Sequence, residues 1–512
     1  MRKLIDQKRY GIILGYLIIV AEGLSGLLFT PILLGALGND EYGLYKLALS
    51  WMSIVSTLDF GLGGTITRFV VRYRVEKDRD GEKNFLGLAY SIYLGRGALI
   101  LIIGAILCVA LPLISKSVLP ENASEFRLLL IILTGKTAVL LFNHAYSGRF
   151  VAYEKFIFIK SMSLMMIVVR IFAVILLLQI IPSAVTVVVV DFVLTLLQLL
   201  CNVLMTLKSN LPRISFFYWN ARLFKEIVGF TVSIFVISVI NQFNGNVDSI
   251  VLGIYSTTAM IGLYASVMQI YTIYCSLSTS IQDVFMPSVS RSVFENRSSD
   301  EITMSIVRPS RMQLIVLMLA FSGFVLFGED FLTLWIGKNY TPEMIQSAYF
   351  IGLLVLSTAT WHLFQNSATS ILKAMNKLGG RVILIAASTG VNLLLTVFLT
   401  PRIGMMGAAI GTAFSLVFGF GLATNIYYSK VIHLNLKLYY CCVFRRVWIG
   451  FLAAFGVGML IRWIPLGGVI GFCVKAVLFV VCYCGCILFV GLEKAERNGL
   501  LQSVPCIRKR HL

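Results

Sequence analysis

The chain has 512 residues, 58% of them hydrophobic and 13% charged, with a mean hydropathy of +0.88. That balance excludes an ordinary soluble domain, in which about a quarter of the residues are charged. The formal net charge of +19 is dispersed through short segments between apolar runs, so there is no basic domain outside the membrane to take nucleic acid.

A run of about 18 or more mostly apolar residues reads as a membrane-spanning helix. In chain order fourteen are expected, at 11–37, 45–67, 85–113, 127–147, 156–180, 183–207, 227–248, 258–285, 308–328, 344–371, 381–401, 405–428, 443–463 and 467–491. The first is too long for a signal-peptide core and is kept as a span. With both termini placed inside, 33 of the 43 lysines and arginines fall in cytoplasmic segments, about 6 fall outside and 4 lie within spans. This positive-inside bias fits an even number of spans. It makes the net charge a matter of topology and of attraction to anionic lipid. The outer loops are short, so no soluble catalytic domain hangs there.

A weak internal repeat organises the spans. Residues 31–45 read PILLGALGNDEYGLY, and 241–264 read NQFNGNVDSIVLGIYSTTAMIGLY. Leu34-Gly35 followed by Gly43-Leu44-Tyr45 is echoed by Leu252-Gly253 followed by Gly262-Leu263-Tyr264, each time between two long apolar runs. Two homologous halves are a common build for secondary transporters. The expected organisation is an all-α integral membrane protein. Residues 1–210 form a first lobe of six spans, 211–226 a cytoplasmic linker, 227–430 a second lobe of six, and 431–512 two extra spans and a cytoplasmic tail. The aromatic and basic segment 214–224 reads as an interfacial helix joining the lobes, and 430–446 is similar.

Ionisable groups inside spans are costly and default to functional candidates. Here they are Glu22, Asp59, Arg96, Lys136, Arg170, Asp191, Asp248, Asp283 and Lys475. Lys160, Ser163, Ile167 and Arg170 follow one helical stripe, and so do Lys136, Leu140 and Asn143. Two such stripes aimed at one cavity make a cationic lumen suited to an anionic cargo such as a pyrophosphate-linked head group. Arg170, Lys136 and Arg96 are the candidate substrate-binding cations. The structural alternative is that they only pair with buried acids such as Asp191 or Glu22. Glu22, in a helix with Gly23, Gly26 and Pro31, and Asp248, among Asn241, Gln242, Asn244 and Asn246, are candidate proton or sodium coupling sites. Interhelical hydrogen bonding is the plain alternative for both.

Trp361, His362, Gln365 and Asn366 combine aromatics and amides, which stack on sugars and equally pack helices. No HExxH, P-loop or long glycine-rich phosphate loop is present, so no metal and no ATP site is expected. The ten cysteines have no metal-site spacing and read as small apolar fillers.

Five stretches in order carry a resemblance: LLGALGNDEYGLY (33–45), LDFGLGGTITRFV (58–70), NVDSIVLGIYSTTAMIGLYA (246–265), FLTLWIGKNY (331–340) and GMMGAAIGTAFS (404–415). Together the chain resembles a polysaccharide or O-antigen flippase of the Wzx type. That family lies in the superfamily of multidrug and toxin extrusion proteins and lipid-linked oligosaccharide flippases. The resemblance implies twelve to fourteen helices in two lobes of six related by a pseudo-twofold axis along the membrane normal. It implies an undecaprenyl-pyrophosphate-linked glycan unit as cargo, moved across a bacterial inner membrane by alternating access. It also implies drive by an ion gradient with no further cofactor, and polymerase or chain-length partners. The family's intramembrane cations match Arg170, Lys136 and Arg96 in type, and the glycines of 61–63 are expected to allow close backbone approach. Three rivals stand beside this reading. They are a multidrug exporter of the same fold, a flippase for the peptidoglycan precursor or a teichoic acid, and an integral-membrane glycan polymerase or glycosyltransferase.

Overall fold

With no water in the hydrocarbon core, backbone N–H and C=O groups must bond within the chain, so long apolar runs resolve into helices. The computed structural model describes residues 2–59, 62–115, 117–209, 211, 215, 218–295, 298–375 and 377–492, and among these the regular structure is helical with no strand. The contacts divide the chain into two compact units, Met1–Ser266 with Val397–Ala408, and Val267–Thr396 with Ala409–Leu512.

The first unit holds α1 (Arg2–Ser56), α2 (Leu62–Glu76), α3 (Arg79–Ile114), α4 (Ala123–Ala152), α5 (Phe156–Ile180), α6 (Ala184–Lys208) and α7 (Ala221–Tyr255). Within it α3, α6 and α2 pack on α4, and α5 packs on α1. α1 carries Pro31 and is really two helices meeting at Gly38, where φ is 77°. After Ser56 the chain makes a 3-10 turn, Thr57–Asp59, before α2 begins. The expected second span, 45–67, is therefore broken near its end. The break leaves helix-end carbonyls to satisfy, and Arg96 of α3 donates to the Asp59 carbonyl at 2.8 Å. Gly63 and Gly148 let α2 and α4 meet backbone to backbone, for a Cβ on Gly148 would sit 2.3 Å from the Gly63 carbonyl.

The second unit holds α9 (Ser299–Ile336), α10 (Pro342–Leu363), α11 (Asn366–Ala374), α14 (Thr424–Val431), α15 (Leu436–Phe444), α16 (Val447–Arg462) and α17 (Gly468–Cys486), with most of α8 (Thr258–Phe294), much of α12 (Leu378–Ile403) and part of α13 (Met405–Phe414). The expected span 344–371 is α10 and α11 with a break at Phe364–Gln365. Ser278 Oγ donates to the freed Leu363 carbonyl at 2.6 Å. A π-helical segment, Ser415–Ala423, joins α13 to α14. α15 is held on α9, with Tyr439 Oη donating to Ser310 Oγ at 2.8 Å, and α17 packs on α9 as well.

Twelve helical stretches among the described residues are long and apolar enough to cross a membrane, so this is a multi-pass membrane protein. The first of them, Ala21–Glu76, takes in the second expected span and residues 21–37 of the first. The expected seventh, 227–248, lies within α7, several of whose side chains fall outside the described set. Residues 212–214 and 216–217 of the expected linker helix, and the tail beyond 492, lie outside the described residues.

The repeat has a structural counterpart. Its first copy sits at the Gly38 bend and its second at the junction of α7 and α8. Asp40 and Thr258, 218 positions apart, meet directly, with Thr258 Oγ1 donating to Asp40 Oδ1 at 2.6 Å. Gly43 makes room for that meeting, since a Cβ there would lie 1.8 Å from the Thr258 carbonyl.

Candidate functional site

The charges buried in the first unit collect on Asp191 of α6. Its side chain is 8% exposed. Arg170 of α5 approaches it with Nε at 2.6 Å from Oδ1 and Nη2 at 3.3 Å from Oδ2, and Lys136 of α4 places Nζ at 3.0 Å from Oδ2. Three helices thus converge on one carboxylate. Each can do so because its polar residue lies on the face turned to the others: Ile167, one turn before Arg170, lines the same space. Arg170 also stands over the Phe29 ring of α1, 5.1 Å from its centroid, and the Tyr45 hydroxyl lies beside it. The ring and the bidentate contact fix the guanidinium plane.

One carboxylate against two cations leaves an excess of one positive charge. Asp191 is almost closed off, whereas Lys136 and Arg170 keep 24% and 30% of their side-chain surface. That surface faces a cavity of about 180 Å³, which Lys136, Arg170, Asp191, Thr195 and Gln198 line with apolar neighbours. The volume is smaller than the ~300–1,000 Å³ that encloses a drug-sized ligand. It suits a phosphate-sized group and not a whole oligosaccharide.

Arg96 is not brought to this cluster. It sits at the end of α1, on the Asp59 carbonyl, and the Asp59 carboxylate faces His144 Nδ1 at 3.2 Å. Asn143, in the same stripe as Lys136, is consumed in packing: its Nδ2 donates to the Thr195 carbonyl at 3.0 Å, and its Oδ1 accepts from Asn202 at 2.9 Å.

The two candidate coupling acids differ. Glu22 is exposed on α1 and makes no hydrogen bond or ion pair among the described residues. Asp248 is 3% exposed, and its Oδ2 accepts from Tyr264 Oη at 2.6 Å. The polar run around it splits by helix face. Gln242 Oε1 accepts from Ser53 Oγ at 2.9 Å, and Asn246 Nδ2 reaches the same Oε1 at 3.1 Å. These amides tie α7 to α1 and do not converge on Asp248. No group of three or more His, Cys, Asp or Glu side chains with metal-holding geometry occurs among the described residues.

Asp191 as the hub escaped the sequence reading, as did Phe29 and Tyr45. The repeat contained a signal for the last of these: Tyr45 and Tyr264 are its matching tyrosines, and each stands against a buried charge.

A family model described as polysaccharide biosynthesis protein matches residues 10–293. Two curated relatives come from Haloferax volcanii. "Probable flippase AglR" is 28% identical over 35% of this chain and 37% of its own length, and "Probable low-salt glycan biosynthesis flippase Agl15" is 24% identical over 52% and 57%. The chain thus spans between about a third and three fifths of the length of these relatives. Among solved structures, a lipid II flippase MurJ in an inward closed conformation superposes with a TM-score of 0.73 at 14% identity, covering 93% of this chain and 97% of that one. An inward-facing multidrug resistance MATE transporter of the MOP superfamily gives 0.61 at 13% identity, covering 82% and 99%. At such identities the likeness carries the fold, which is that of the MurJ and MATE transporters.

Proposed function

The chain belongs to the polysaccharide biosynthesis protein family, and from that premise we propose that it is a flippase moving a glycan carried on a lipid pyrophosphate from the inner to the outer leaflet. The observation that carries this reading is the surplus cation at Asp191. Arginine pairs a phosphate through two parallel N–H donors. Arg170 already presents that geometry to Asp191, so an incoming phosphate competes with a resident carboxylate for a prepared partner. The competition keeps binding moderate. A carrier needs this, because alternating access requires the binding energy to differ between inward and outward states, and tight binding to either alone traps the cargo. Only the head group need enter the protein; the lipid tail stays in the bilayer.

The membrane in this reading is a bacterial cytoplasmic membrane with both termini inside, as the lysine and arginine bias supports. The drive is a proton or sodium gradient, with Glu22 as the coupling acid because it is open to exchange; Asp248, closed off under the Tyr264 hydroxyl, is left to tie α7 to α8. The chain performs no covalent chemistry. Lys136 joins Arg170 on the phosphate, while Arg96, tied to the Asp59 carbonyl, supports the α1–α2 turn.

The test is transfer of a fluorescent lipid-pyrophosphate oligosaccharide across proteoliposomes, with and without an ion gradient, for the wild type and Arg170→Ala. Gradient-stimulated transfer by the wild type and its loss in a folded Arg170→Ala protein support the proposal. Extrusion of a cationic dye with no glycan transfer replaces it with a drug exporter.

A further inference from the structure

Away from the Asp191 cluster, the first unit has a second charged hollow of about 600 Å³, at the end where α2 turns into α3. Arg74, Lys77 and Arg79 reach it, together with Asp78, Glu82 and Tyr153. Both acids are already engaged. Asp78 caps α3, its Oδ1 accepting from the Gly81 N–H at 2.8 Å. Buried Glu82 accepts the Tyr153 hydroxyl on both oxygens, at 2.8 and 2.9 Å, and buried Arg149 lies behind it. Burial, with the Glu82 carboxylate beside it, pushes the Tyr153 phenol up, so it remains a donor. None of the three lining cations makes an ion pair among the described residues.

Two of these cations are held in place. Arg74 stacks over the Tyr153 ring, 4.4 Å from its centroid, and donates to the Ala152 carbonyl. Lys77 is in the left-handed region at φ 59°, and so is Glu154 in the facing α4–α5 turn, at φ 55°. Non-glycine residues there are strained, and such strain persists where the surrounding structure imposes it, often at ligand sites. The elements around the hollow also expose apolar side chains. Val71 and Val75 of α2 are 41% and 79% exposed, and Trp219 is 62% exposed. The segment carrying Trp219 is laid on the start of α3 through the Ser215 N–H and the Lys83 carbonyl, 3.3 Å apart. Exposed valines and an exposed Trp on segments that flank the hollow are side chains of the border between hydrocarbon and water, and put the hollow at the level of lipid head groups.

We propose that the hollow at the α2–α3 turn is a second anion site, which takes a phosphate group through Arg74, Lys77 and Arg79 at the membrane surface. It is separate from the Asp191 cluster and independent of which cargo the protein moves. Basic pockets at the ends of membrane helices bind phosphate-bearing head groups in this way. Leu211, from the segment after α6, also lines the hollow, so an occupant touches the stretch that leads into α7.

The experiment counts lipids retained by the full-length protein in native mass spectrometry from micelles containing phosphatidylglycerol or phosphatidylcholine. The variant is Lys77→Gly with Arg79→Gln. Glycine favours the left-handed conformation at 77, so two cations are removed without strain. The wild type is expected to retain one more phosphatidylglycerol than phosphatidylcholine, and the variant to bind that extra lipid roughly thirtyfold more weakly. Inorganic pyrophosphate separates the sources. If it displaces the extra lipid, the site takes phosphate from solution as well; if the lipid stays, the site takes head groups. Both outcomes support a phosphate site. Equal retention of the two lipids, or unchanged phosphatidylglycerol binding in a variant with wild-type circular dichroism, overturns it.

Discussion

Two polar regions of the first unit look alike in composition and behave differently. Around Asp191 a carboxylate meets two cations that keep part of their surface open to a cavity. Around Asp248 a carboxylate meets a tyrosine hydroxyl, and the neighbouring amides bond to one another and to Ser53. The second region is closed: its contacts tie α7 to α1 through Ser53 and to α8 through Tyr264, with the amides of Gln242 and Asn246 also bonded to each other. The first is unbalanced, with one charge more than its packing needs. The contrast teaches that density of polar residues in a span does not mark a binding site. A net charge that helix packing leaves uncompensated, next to open volume, does.

This contrast can be broken by substitution, and the largest effect is expected at Asp191. Asp191→Asn leaves Arg170 and Lys136 facing each other without their shared anion, a change of the kind that costs about 3–5 kcal/mol in a buried site. Thermal unfolding in detergent measures it. Arg170→Ala should be far milder for folding, because Lys136 still neutralises Asp191. Its expected effect falls on cargo transfer, a loss of roughly ten- to hundredfold for one charge-assisted contact worth about 1.5–3 kcal/mol. At Asp248 the order reverses. Tyr264→Phe removes one donor from a buried carboxylate and should destabilise by about 1–3 kcal/mol, and melting curves of the two variants side by side sharpen the distinction. Ser53→Ala should cost about 1 kcal/mol with transfer unchanged, as befits a helix tie. Glu22→Gln, on an exposed group, should leave the melting temperature unchanged and abolish the gradient-stimulated part of transfer. Retained stimulation would remove Glu22 from the coupling scheme.

Much of the fold was legible because lipid enforces it: a long apolar run has to be a helix, and the spans were read at nearly their observed places. The breaks were not legible. Residues 57–59 and 364–365 interrupt apolar runs without a proline, and each break is sustained by a distant donor, Arg96 in one case and Ser278 in the other, which no local pattern reveals. The site was partly legible. Helical spacing placed Arg170 with Ile167 and Lys136 with Asn143 on common faces, and the first pair does line the cavity. Spacing carries no information on which helices become neighbours. For that reason the sequence offers Asp191 to Arg96, whereas Arg170 and Lys136 take it, and the amides near Asp248 read as ligands when they are ties. Some of that information lay in the repeat, whose two copies meet at Asp40 and Thr258.

The central claim is that Arg170 holds the phosphate of the cargo. The direct measurement is the affinity of the purified protein for one oligosaccharide on two lipids, a polyprenyl pyrophosphate and an uncharged polyprenol, for the wild type and Arg170→Met. A preference of the wild type for the pyrophosphate form by about tenfold or more, lost in an equally folded Arg170→Met protein, is the predicted result. The same preference in both proteins would contradict the account.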